Sequence, residues 1–153
     1  MISQNSVMKK GLMLDCGATS HIITEIDKFT YFDDAFDPSK HFMELADGRK
    51  MNNVALRRGN AEVFLQDIEG NCIKTTLKEA LFIPHYPQSI FSVKAATMNG
   101  ARVRFQDGQN ELIHKDGTVF AIEEHERLYY LNTKQDRHNL GNREIPGRQF
   151  TLW

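Results

Sequence analysis

Leu12-Met13-Leu14-Asp15-Cys16-Gly17-Ala18-Thr19 is the most informative stretch of the chain. Three apolar residues read as a short buried strand, and the carboxylate that follows stands on a tight turn. Gly17 and Ala18 carry almost no bulk, so a second backbone can approach that turn closely. One such turn is only a turn. Two of them facing each other across a symmetry axis put two carboxylates within hydrogen-bond reach. Like charges that close cannot both ionise, so the pair holds one proton and serves as acid and base together. Its titration belongs to the pair rather than to either residue.

Outward from this stretch, Gly11 to Leu131 alternates short apolar runs with turn signals, which is an all-β pattern. The runs are Leu12–Leu14, His41–Ala46, Asn53–Leu56, Ala61–Leu65, Cys72–Leu77, Ala80–Ile83, Arg102–Phe105, Glu111–His114, Thr118–Ile122 and Leu128–Leu131. Breaks fall at Asp47-Gly48, Gly59-Asn60, Glu69-Gly70-Asn71, Pro84 to Pro87, Asp107-Gly108 and Asp116-Gly117. Glu111–His114 and Thr118–Ile122 form the clearest hairpin, because Asp116-Gly117 suits a tight turn with positive φ. One short helix is expected near 91–98, where Asn99-Gly100 stops it, and a second helical piece around Glu25–Phe32 fits Ile26, Phe29 and Phe32. Residues 1–10 read as a flexible lead-in and 132–153 as a disordered tail, polar and without an apolar period.

The bulk numbers agree with one modest domain. The chain has 153 residues, 41% hydrophobic and 25% charged, with a formal net charge of -1. So small a charge removes the main electrostatic case for a nucleic-acid or membrane partner, and Arg57-Arg58 is too little to restore it. No apolar run approaches membrane-span length, and the first residues carry no signal-peptide core. Cys16 and Cys72 do not make a disulfide framework, and no glycosylation sequon occurs. The expected setting is intracellular and cytoplasmic. The histidines (His21, His41, His85, His114, His125, His138) are scattered without metal-ligand spacing, so no metal or organic cofactor is expected.

Along nearly all of 11–131 the sequence resembles the aspartic protease of copia-type LTR retrotransposon Pol polyproteins. Asp15-Cys16-Gly17-Ala18-Thr19-Ser20-His21-Ile22 is similar to that family's Asp-Ser-Gly-Ala-Thr-x-His-hydrophobic signature. Leu45-Ala46-Asp47-Gly48 is similar to its hydrophobic-x-Asp-Gly turn. Ala80-Leu81-Phe82-Ile83-Pro84, followed by Ile90-Phe91-Ser92-Val93, resembles its Val-Leu-Tyr-Val-Pro and Asn-Leu-Leu-Ser-Val block. Asn99-Gly100 and Val103-x-Phe105 close the pattern. The resemblance implies a small retropepsin-like β-barrel, working as a homodimer because each chain supplies a single Asp-x-Gly motif. Asp15 would be catalytic, Cys16, Gly17, Ala18 and Thr19 would form its loop, and Ile90, Phe91 and Ser92 would lie beside it. The substrate would be polypeptide, the parent Gag-Pol-like precursor.

The sequence departs from the family at Cys16, where a Ser or Thr hydroxyl is usual. In relatives that hydroxyl braces the two loops across the dimer, and a thiol is a weaker and longer donor. Two outcomes stay open: an active endopeptidase, or a catalytically silent, domesticated barrel serving dimerisation or peptide binding. Cys16 as a nucleophile with His21 as base is disfavoured, since a neighbouring carboxylate opposes the thiolate. His21 reads more simply as a polar residue hydrogen-bonding the loop after Asp15. A substrate-covering flap needs a glycine for its reversal; Ala46, Asp47 and Gly48 are the candidates, with Gly59 next.

Overall fold

The computed structural model describes residues 11–44 and 47–133, with the backbone alone of Lys134 and of the strand Glu144–Phe150. The expected lead-in, 1–10, lies outside the described residues.

The described residues are built mostly of strands, with one short α-helix and two 3₁₀ turns among them. In order they are β1 (Gly11–Asp15), β2 (Ile22–Ile23), β3 (Phe29–Phe32), β4 (Phe42–Glu44), β5 (Lys50–Asn52), β6 (Arg57–Gln66) and β7 (Cys72–Phe82). After them come β8 (Ile90–Ser92), helix α1 (Val93–Met98), β9 (Arg102–Gln106), β10 (Gln109–Ile113), β11 (Val119–His125), β12 (Leu128–Lys134) and β13 (Glu144–Phe150). Hydrogen-bonded neighbours run β6-β7-β2-β8-β1-β12, and β12 pairs back onto β6. That last pairing, Thr133 with Leu65 and Lys134 with Phe64, closes the ring into a barrel. β3 lies on β6, while β11, β10 and β9 continue outward from β12. Closure therefore falls to β12, and β9, β10 and β11 form an appended sheet.

The core follows from alternation. Along β6, Gly59, Ala61, Val63 and Leu65 are buried while their neighbours are half-buried, the period-two pattern of a strand with one dry face. Ala61, Val63 and Leu65 meet Leu12, Ile23, Ile73, Leu77, Phe91 and Leu131, and the appended sheet adds Leu112, Phe120 and Ile122. A second, smaller cluster gathers Ile22, Ala55, Leu81, Ile83 and Ile90 at the edge nearer β1's end.

Four local expectations differ from the structure. Cys72–Phe82 is one strand, not two. Lys78 and Glu79 stand against the single Asn60, a bulge in which Glu79 takes φ 54°. The extra residue shifts the inward phase from Ile73, Thr75 and Leu77 to Ala80 and Phe82, which reads in sequence as a break. Gly59-Asn60 is likewise no break, since β6 runs through it. The helix considered around Glu25–Phe32 is a three-residue 3₁₀ turn, Ile26–Lys28, followed by β3. Phe29 and Phe32 stack with centroids 4.9 Å apart, and Phe29 meets Phe82 edge-on, so strand pairing with β6 wins over a helical stripe. Asn53–Leu56 forms no strand, because Asn53 takes φ 63° and ends β5.

The hairpin around Asp116-Gly117 forms with Ile113 opposite Val119, and the helix begins at Val93 with Ser92 as its cap. Beyond Leu131, β12 continues to Lys134. The backbone of β13 then runs parallel to β7, with Glu144 opposite Cys72 and Phe150 opposite Thr75. The stretch read as a tail thus contributes strand at both of these places.

Candidate active site

β1 carries Asp15 at its C-terminal end, directly beside β8. The two strands are parallel, and Asp15 stands opposite Ser92, Leu14 opposite Phe91 and Met13 opposite Ile90. Ile90, Phe91 and Ser92 are all buried, so the wall beside the carboxylate is dry and fixed. Asp15 itself is half-buried, and Cys16, Gly17 and Thr19 after it are exposed.

The turn is held by the carboxylate's own loop. Gly17 N–H donates to Asp15 Oδ1 at 2.8 Å, which orients the carboxylate. A Cβ on Gly17 would stand 3.3 Å from that oxygen, tighter than a side chain comfortably allows. The glycine thus permits the carboxylate to fold back over the loop.

Ser92 ties three segments together at this point. Its Oγ donates to Ala18 O at 2.7 Å and accepts from Ala95 N–H at 3.0 Å, capping α1. Its own N–H donates to His21 Nδ1 at 3.0 Å. His21 is fully buried, with its ring 5.0 Å from that of Phe91. A second tie lies just before β8, where Thr24 N–H donates to Ser89 Oγ and Met13 N–H to Ser89 O. Sequence reasoning named His21 and Ser92 separately. Their partnership, across 71 positions, gave no local signal.

The hairpin β4–β5 forms a sheet of its own, apart from the barrel, and its tip carries Asp47 and Gly48. Ala46 lies outside the described residues. Arg49 folds over the tip: its N–H and its Nε donate to the Asp47 carboxylate at 3.0 and 2.7 Å. These bonds, the backbone one first, hold the Asp47 carboxyl below its ordinary range. At the base, Asn53 N–H donates to Pro38 O and Asn52 Nδ2 to Ser39 O. Met43 packs against the second cluster, as does Ala18 of the Asp15 loop. The hairpin root and the Asp15 loop therefore share one apolar floor. Phe42 and Met51 remain exposed on the ribbon.

Gly59 is not a hairpin tip. It is buried within β6, and a Cβ there would stand 1.8 Å from Tyr31 O of β3. It is glycine because β3 crosses against it.

Phe36, also on the shared floor, lies 5.4 Å from the His41 ring and under the Arg58 guanidinium at 5.0 Å. Arg58 Nη2 bonds Asp33 Oδ2 at 2.7 Å, and that bond leads in holding Asp33 below the ordinary carboxylate range. Burial, then the Arg58 charge, lowers His41 from the ordinary imidazole value.

Cys16 is exposed and Cys72 buried, and no disulfide joins them. No cluster of three or more His, Cys, Asp or Glu suited to a metal occurs among the described residues. A shallow polar depression lies elsewhere, lined by Asp67, Glu69, Asp116 and Thr118 among others, and none of the Asp15 loop borders it. No helix among the described residues is long and apolar enough to cross a membrane.

No curated protein and no solved structure matches the chain. The family profile described as "Pol polyprotein, beta-barrel domain" matches residues 12–101. That span includes β1, the Asp15 loop, the β4–β5 hairpin, the β6–β7 pair, β8 and α1; the appended sheet and β12 lie beyond it. Over more than half of its length, then, the chain matches a retroelement barrel, and it belongs to the Pol polyprotein β-barrel domain family.

Proposed function

We propose that this barrel is the aspartic endopeptidase of a copia-type retrotransposon polyprotein, cutting its Gag-Pol-like precursor as a homodimer. The observation that carries the proposal is the setting of Asp15. Its carboxylate ends a strand braced by buried β8, is oriented by Gly17 N–H, and opens onto an exposed loop. One chain brings one such carboxylate, so the dyad needs a second copy related by two-fold symmetry.

In the dimer the two Asp15 carboxylates share a proton. The ionised one takes a proton from a water, which attacks the scissile carbonyl. The protonated one donates to the carbonyl oxygen, giving a tetrahedral gem-diol. The roles then reverse: one carboxyl protonates the leaving amine while the other takes a hydroxyl proton as the C–N bond breaks. In this reading the β4–β5 ribbon covers an extended peptide, which is supported by Met43 and Ala18 packing on one cluster and by the ribbon's forming a sheet apart from the barrel.

A second reading is favoured by Cys16. The residue is exposed beside Asp15, where a hydroxyl is usual, and a thiol braces a symmetric partner loop poorly. A silent barrel would dimerise or hold peptide without cutting it. The test is cleavage of a fusion protein carrying flanking polyprotein sequence, with wild type and Asp15→Asn in parallel from pH 4 to 7. Cutting by wild type alone supports the protease. Absence of cutting by either, at concentrations where sedimentation shows dimer, leaves the binding module.

A further inference from the structure

We infer that His21 is a positioning residue for Asp15, acting through Ser92 as a latch that sets the loop carrying the carboxylate; the inference rests on the proteolytic function proposed above. Ser92 is the residue directly opposite Asp15 in the β1–β8 ladder, so any shift of Ser92 is felt at the carboxylate. Each of its polar groups outside the carbonyl is committed. The N–H goes to His21 Nδ1, while Oγ gives to Ala18 O and receives from Ala95 N–H. The loop leaves β1 at Asp15, turns at Gly17, is caught at Ala18 by Ser92, and re-enters the core at His21. His21 then catches Ser92 from the other side. The result is a closed circuit of hydrogen bonds around the loop, with Asp15 at its start.

The chemistry demands an acceptor at Nδ1. A backbone N–H is a donor only, so the ring must present a lone pair there, which fixes the neutral tautomer protonated at Nε2. The ring is fully buried against Phe91, so it has no freedom to rotate away and let water substitute. A phenyl ring of similar size would fill the space and leave the Ser92 N–H, also fully buried, without that acceptor. An asparagine can place its side-chain oxygen near the Nδ1 position and keep the bond.

The experiment compares His21→Phe and His21→Asn in the full chain, above the dimer's dissociation concentration. For each, kcat and KM are measured on a polyprotein-derived peptide, and amide exchange is followed at Gly17 and Ser92. Expected for His21→Phe is a kcat at least about tenfold lower per folded dimer, with KM within about threefold, as for loss of an interaction made at the transition state. Gly17 exchange should rise in step. His21→Asn should recover most of the kcat and the protection. Equal impairment of the two variants, or a wild-type kcat per folded dimer in His21→Phe, would overturn the latch. If wild type shows no Asp15-dependent cleavage, the protease proposal fails, and exchange still judges the latch. Unchanged Gly17 protection in His21→Phe then refutes it, and loss restored by His21→Asn upholds the loop circuit.

Discussion

Gly59→Ala should destabilise the barrel by about 2–3 kcal/mol without touching the Asp15 loop. A Cβ at this position would stand 1.8 Å from Tyr31 O, 2.8 Å from Tyr31 C and 2.9 Å from Phe32 Cα. All three are main-chain atoms of β3, so no side-chain rotation relieves the contact. Carbon and oxygen rest at roughly 3.3 Å or more, so β3 must withdraw by about 1.5 Å. That displacement breaks the β3–β6 bonds around Phe32–Gly59 and Tyr31–Asn60, together with the 2.7 Å bond from Asp33 N–H to Arg58 O. Two or three bonds at about 1 kcal/mol each give about 2–3 kcal/mol. Reduced unfolded-state freedom returns about 0.5–1 kcal/mol, and stripping Phe29 and Phe32 from their packing offsets that gain. Urea denaturation measures the loss, and amide exchange at Asp33 locates it. Were Gly59 the tip of a flap, the variant would keep its stability and alter turnover. Unchanged stability with Asp33 still protected would refute the reasoning about β3.

Ser92→Ala removes a helix cap and leaves Ala18 O without its donor; each costs about 1 kcal/mol, so a loss of about 2 kcal/mol is expected in urea denaturation. Leu65 is fully buried at the centre of the core, so Leu65→Ala should cost about 2–5 kcal/mol by the same measurement. His41 binds its proton more weakly folded than unfolded, through burial first and the Arg58 charge second. Its contribution is therefore fully present above the ordinary value of 6.5 and is lost as pH falls through the lowered folded value. His41→Phe should flatten that part of the stability–pH curve, and an unaltered slope below 6.5 would count against the burial of the ring.

Much of this architecture is legible locally. Leu12–Leu14 announces β1, Asp116-Gly117 its hairpin, and Asn99-Gly100 the end of α1, because each depends on residues within a few positions. The Asp15 turn is legible for the same reason: an amide two residues on is the natural partner of an aspartate oxygen. Other features are set by distant chain. Gly59 looks like a turn residue because nothing nearby tells that Tyr31 crosses it. Lys78-Glu79 looks like a loop because a bulge inverts the alternation in mid-strand. Closure of the barrel pairs Phe64 and Leu65 with Lys134 and Thr133, and His21 meets Ser92, without any periodicity to betray either. Many strands are written in local patterning, though β3 and β13 are not and Asn53–Leu56 only resembles one. Which strands touch, and hence what surrounds Asp15, is decided by packing.

The proposed dyad needs two chains each giving one Asp15 to a single site, and subunit mixing tests this most directly. Wild type and Asp15→Asn are combined in equal amounts at constant total concentration, equilibrated, and assayed on the fusion substrate. If each site needs both carboxylates, only wild-type homodimers cut, and activity falls to about one quarter of that of wild type alone. A fall to about one half means that each chain works with its own carboxylate alone, which would contradict the shared dyad.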